Sequence, residues 1–106
     1  MTGRITYTPE AQQHLDDLDR WIADSASPDV AQRFITAVID HIESIADFPQ
    51  AGRPREDVRE GVRTTTFRKR TLVAYEVADS GSKVVVNILG VFHGGPDWET
   101  ALRERG

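Results

Sequence analysis

Phe67-Arg68-Lys69-Arg70-Thr71-Leu72-Val73-Ala74-Tyr75-Glu76-Val77 decides the fold. Three consecutive cations interrupt two stretches rich in β-branched and aromatic residues, so the run reads as a strand end, a tight basic turn and a returning strand. Working backward, Val62–Phe67 is the first arm of this hairpin. Working forward, Thr71–Val77 is the second arm, and Asp79-Ser80-Gly81-Ser82 forms the next turn. Val84-Val85-Val86-Asn87-Ile88-Leu89-Gly90-Val91-Phe92 supplies a third strand that is apolar on both of its alternating faces. Such a strand needs cover on both sides and is expected inside the sheet.

Upstream of the hairpin the periodicity changes from two to that of a helix. Thr8-Pro9-Glu10-Ala11 carries a capping hydroxyl, a proline suited to the first helical position and an acid for the positive end of the dipole. Ala11, Leu15, Leu18 and Ile22 then recur at helical spacing, which predicts an amphipathic helix to about Ala23. Ser27-Pro28-Asp29-Val30 repeats the start signal, and Ala31, Phe34, Ile35, Val38, Ile42 and Ile45 carry the second stripe until Phe48-Pro49 stops it. The short connection Asp24-Ser25-Ala26-Ser27 implies an antiparallel helical hairpin. Gln50-Ala51-Gly52-Arg53-Pro54-Arg55 cannot continue a helix, and Arg4–Tyr7 supplies a short strand at the start. The expected order is β-α-α-β-β-β: an α+β fold in which an N-terminal helical hairpin packs on a small, antiparallel-dominated sheet.

At 106 residues and 11.9 kDa, with 39% apolar and 28% charged residues, the chain is expected to form one domain over residues 1–106. No apolar run approaches the ~20 residues that span a bilayer. The start, Met1-Thr2-Gly3-Arg4-Ile5, lacks the apolar region of a signal peptide, so a cytoplasmic protein without membrane contact is expected. Zero cysteines remove disulfides, thiolate metal sites and cysteine nucleophiles.

The formal charge of −4 opposes broad nucleic-acid binding, but it is unevenly distributed. Residues 1–50 carry three arginines against nine acids, a net −6, whereas residues 51–75 carry six arginines and one lysine against three acids, a net +4. That basic stretch is either a solvated turn balancing acidic helices or a functional patch.

The candidate chemistry converges on it. Arg63, Arg68, Lys69 and Arg70 come from the hairpin, Tyr75 from its second strand, and His93 follows the interior strand just before Gly94-Gly95-Pro96. Cations with an aromatic hydroxyl and an imidazole suit phosphodiester cleavage, in which cations stabilise the developing charge and a base activates the 2′-OH. They suit capture of an acidic peptide equally well. His93 reads as either an acid–base group or an exposed cap, and Tyr75 as either chemistry or packing. His14 and His41, one on each helix, lack acid partners at metal-ligand spacing and read as structural or exposed. Trp21, beside the apolar stripe, and Trp98 read first as core packing and second as an exposed docking surface. Gly52-Arg53-Pro54 and Gly94-Gly95-Pro96 match no phosphate-binding fingerprint, so no cofactor and no metal are expected.

Taken in order, Thr8-Pro9-Glu10-Ala11, Phe48-Pro49-Gln50-Ala51-Gly52-Arg53-Pro54, Gly61-Val62-Arg63, Phe67 to Val77, and Val84 to Val91 followed by His93 resemble the ParE/RelE toxin superfamily over about residues 4 to 97. The resemblance implies the toxin of a type II toxin–antitoxin module, bound by a cognate antitoxin in a hetero-oligomer. RelE-like members cleave mRNA on the ribosome, whereas ParE-like members poison DNA gyrase. The acidic net charge and the Gly-Arg-Pro turn favour the ParE type, with no enzymatic activity and no sequence-specific nucleic-acid binding. On that branch Arg53, Arg63, Arg68, Lys69, Arg70, Tyr75 and His93 form the binding surface. On the RelE branch Arg68 and Arg70 hold phosphate while Tyr75 or His93 moves the proton. A third branch is an inactive antitoxin-binding module.

Overall fold

A computed structural model describes residues 3–79, 81, 83–95 and 97–104. Strand β1 (Arg4–Tyr7) leads into helices α1 (Pro9–Ser25) and α2 (Pro28–Ile45). Strands β2 (Arg53–Pro54), β3 (Val62–Phe67), β4 (Thr71–Asp79) and β5 (Val84–His93) follow, and helix α3 (Trp98–Glu104) comes last.

Both helix starts form as their side chains dictate. Thr8 Oγ1 accepts the Ala11 N–H and Ser27 Oγ accepts the Val30 N–H, each at 3.1 Å, with a proline at the next position. Helix α1 continues two residues beyond the expected Ala23, leaving only Ala26 and Ser27 as the connection. Helix α2 ends at Ile45, before Phe48-Pro49, because the chain tightens into successive turns: Phe48 N–H donates to the Ile45 carbonyl and Ala51 N–H to the Phe48 carbonyl.

The five strands lie in the order β1-β5-β4-β3-β2. Only the β1–β5 pair is parallel. The interior position of β5 agrees with its having apolar residues on both faces. Two elements extend the expected order. The two residues of β2 pair with Thr64 and Arg63, and α3 covers the sheet face away from the hairpin. Of the expected turn at 79–82, Ser80 and Ser82 lie outside the described residues.

Helices α1 and α2 bury Ala11, Leu15, Val38 and Ile42 against Val73, Tyr75, Val86 and Ile88 on one face. Val58, Val62, Ala74, Leu89, Phe92, Trp98 and Leu102 fill the other. A bulge decides what the end of β5 does. Tyr75 pairs with Ile88 while Ala74 pairs with Gly90, so Leu89 is an extra residue in the ladder. The side-chain alternation therefore reverses there. Val91 joins Ile88 on the hairpin face, and His93 follows onto the same side, near Trp21 and Phe34.

Candidate functional site

The β3–β4 turn and the end of β5 lie side by side, with Thr71 opposite His93 and the Gly94 N–H donating to the Arg70 carbonyl at 2.9 Å. Arg68, Lys69 and Arg70 are all exposed at this tip. Arg68 and Lys69 turn the chain in the left-handed region, with φ of 52° and 65°. Neither is a glycine or asparagine, so the tight turn that displays the cations is strained. The Arg68 guanidinium lies over the Phe67 ring, 4.7 Å from its centroid.

His93 is half-buried behind the tip. Its Nδ1 lies 2.8 Å from Thr71 Oγ1, and its ring packs edge-on to Phe34 at 5.6 Å and near Trp21 at 6.0 Å. Burial, and then the Arg70 charge, push the imidazole below its usual 6.5, which favours its neutral form. Trp21 departs from its expected core position and is 58% exposed. It sits just off the α1 stripe, where Leu18 and Ile22 take the buried positions. Trp98 is buried as expected, beneath Arg55 at 5.0 Å.

Other members of the expected set stand elsewhere. Tyr75 is 1% exposed, its hydroxyl donating to the Pro49 carbonyl at 2.9 Å and accepting the Gly52 N–H at 3.0 Å. It fastens the loop after α2 rather than presenting a phenol to a ligand. Arg63 does the same from its own position, donating to the carbonyls of Gln50 and Gly52 at 2.9 and 2.8 Å. Arg53 is exposed but lies opposite Thr64, roughly 14 Å along β3 from Arg68 at the usual strand rise. Arg55 is taken up by Asp57 and Glu99 at 2.9 and 2.6 Å. Within the basic stretch, three cations are thus exposed together at the tip, Arg55 and Arg63 are engaged by other groups, and Arg53 is exposed apart from them.

The remaining histidines are structural: His14 Nδ1 accepts the Val91 N–H at 3.1 Å, and His41 Nε2 meets Thr65 Oγ1 at 3.2 Å. Among the described residues no three His, Cys, Asp or Glu side chains come together to hold a metal ion. None of the described helices is long and apolar enough to cross a membrane.

Residues 5–98 match the family described as the ParE toxin of type II toxin–antitoxin systems, parDE. The chain belongs to the ParE toxin family. Toxin ParE1 of Mycobacterium tuberculosis, in strains CDC 1551 / Oshkosh and ATCC 25618 / H37Rv, is 30% identical over 94 residues, spanning 84% of this chain and 90% of the relative. Among solved structures, a chain of the chromosomal ParDE system from P. aeruginosa superposes with a TM-score of 0.75 at 20% identity, covering 89% of this chain and 98% of that one. A chain of the RelBE2 toxin–antitoxin complex from Mycobacterium tuberculosis gives 0.64 at 22%, covering 88% and 99%. These neighbours share the α+β fold of a hairpin on a mixed sheet. In this ParE family member, the cationic tip, half-buried His93 and exposed Trp21 lie close together as the candidate site.

Proposed function

We propose that this ParE-family toxin acts on DNA gyrase in the cytoplasm and is neutralised by a cognate antitoxin, with which it forms a hetero-oligomer. The choice of target rests on the state of Tyr75. A ribonuclease needs a proton-transfer group within ~2.6–3.2 Å of the reacting oxygen. The Tyr75 hydroxyl is instead buried and committed to Pro49 and Gly52. The net charge of −4, with only three exposed cations gathered at the tip, also suits a polyanion poorly. The antitoxin half of the proposal is supported by the toxin–antitoxin systems in which the structural neighbours occur. Arg68, Lys69 and Arg70, supplemented by Arg53, suit an acidic partner segment.

The test is a side-by-side assay of the purified protein on gyrase supercoiling and on translating ribosomes. Supercoiling is expected to stop or cleaved DNA to accumulate, while mRNA stays intact. One observation favours the RelE-like alternative: a neutral His93 stands within the field of Arg70. Codon-positioned mRNA cleavage that disappears in His93→Ala, with gyrase untouched, would move the protein to that branch.

A further inference from the structure

Strand β1 accompanies β5 only from Val85 to Ile88. Beyond that point the outer edge of β5 meets α1. Thr8 binds the Ile88 and Leu89 carbonyls at 3.0 and 3.3 Å, and His14 caps the Val91 N–H. The cover ends before His93. Because the Gly94 N–H bonds the Arg70 carbonyl, Thr71 and His93 form a non-hydrogen-bonded pair in the antiparallel ladder. The His93 N–H and C=O therefore point away from β4, toward the open side.

They face a groove of about 630 Å3 between α1, the end of β5 and α3, lined by Leu18, Val91 and Ala101 and rimmed by exposed Trp21. A second groove of about 490 Å3 lies beyond Phe92 and contains Lys69, Thr66 and Trp98. Arg70, Phe92 and Gly94 line both, so the two hollows adjoin across the last turn of the strand. Among the described residues neither Lys69 nor Arg70 enters an ion pair, whereas Asp97 in the first groove is engaged by Thr100.

We infer that the paired grooves seat an extended segment of the antitoxin. Its main chain bonds the N–H and C=O of His93, one large apolar side chain rests on Trp21 and Leu18, and a neighbouring acidic side chain lies between Arg70 and Lys69. The inference rests on the antitoxin reading above and adds to it the place and the manner of binding. A strand edge with unpaired main-chain groups recognises another main chain, and the flanking pockets then select side chains. The exposed indole supplies the kind of aromatic anchor that dominates interface energies, and the free cations fix the sign of the charge that follows it.

Amide hydrogen exchange on the full chain, alone and mixed with the full-length protein encoded by the adjacent gene, tests this directly. The His93 amide should exchange at least about tenfold more slowly in the complex. Trp21→Ala should weaken binding about 30-fold, Arg70→Glu should weaken it and flatten its salt dependence, and Val30→Ser, an exposed apolar site outside the grooves, should leave it unchanged. A complex that forms with no slowing at His93 and full affinity in Trp21→Ala overturns the inference while leaving the antitoxin reading in place. Failure of any complex to form removes both. Protection at His93 that grows with concentration of the chain alone assigns the groove to a second copy and likewise overturns the inference.

Discussion

Gly52 lies directly against the Tyr75 hydroxyl: its N–H donates to that oxygen, and a Cβ at position 52 would collide with it. The Tyr75 O–H in turn donates to the Pro49 carbonyl, so one side chain from the sheet ties down both ends of the turn that follows α2. Tyr75→Phe should cost about 1–3 kcal/mol by leaving two main-chain groups without their partner. Gly52→Ala should cost a similar ~1–3 kcal/mol by overpacking. Urea unfolding of the two single variants and the double variant measures this. The losses should be less than additive, because both changes act on one contact.

The cationic turn is a second place where sequence and backbone conflict. Lys69 holds a φ of 65° that glycine adopts freely. Lys69→Gly should therefore raise stability by about 0.5–1 kcal/mol even though a cation is lost, while weakening the antitoxin complex at low salt. Thermal unfolding and a salt titration of binding read the two effects separately.

Charge reversal at Arg68 and Arg70 together should slow association with the antitoxin and reduce its dependence on ionic strength. Stopped-flow mixing at two salt concentrations checks this. Wild-type rates and salt slope in the double variant would place recognition away from the tip.

Stability should also respond to mild acid. Burial lowers the His41 imidazole below 6.5, and burial with the Arg70 charge does the same for His93. Between those lowered values and 6.5 the unfolded chain binds more protons than the folded one, so stability falls as pH drops through this window. The urea midpoint should be lower at about pH 5.5 than at about pH 7.5, and His41→Gln should shrink the difference. Asp57, held at about 2 by Arg55, and Asp97, lowered by its hydrogen bonds to Thr100, lie below this window.

Helix α3 depends on a clamp. Arg55 reaches Glu99 at 2.6 Å and lies over the Trp98 ring, joining the loop before β3 to the end of the chain. Arg55→Ala should loosen α3, seen as faster amide exchange at Leu102 and earlier proteolysis within Trp98–Glu104, with little change in β3 to β5.

The helical hairpin and the three long strands were legible because each carries its own signal: a capping hydroxyl before a proline, a stripe at helical spacing, or a run of β-branched residues between turns. Strand β2 carries none, since two residues become a strand only when β3 presents an edge to them. Helix α3 did have a local sign, in that Asp97 stands three residues before Thr100 and accepts its N–H at 3.1 Å. The seven-residue length gave its periodicity no room to show. Among the site residues, the exposed cations of the turn could be read directly. Tyr75 and Arg63 could not be placed, because whether a strand residue faces solvent or a returning loop depends on contacts more than ten positions away. For Trp21 the exposed reading holds over the core one for a related reason: one helical step decides between stripe and rim. The bulge at Leu89, which turns His93 toward Trp21, left no mark on an apolar run that looks alike in either register.

The parallel pairing of Arg4–Tyr7 with Val85–Ile88 joins the earliest structured residues to nearly the latest. During synthesis β1 is made before the other strands of the sheet and has no strand partner until β5 has been translated. Closing so long a loop is entropically unfavourable until the β3–β5 meander exists to receive it. A chain cut short before Val84 has no strand for β1 to join. The order of translation therefore delays the fold: a polypeptide that has not yet reached β5 cannot assemble the five-stranded sheet, and the folded toxin arises only once that strand has been made.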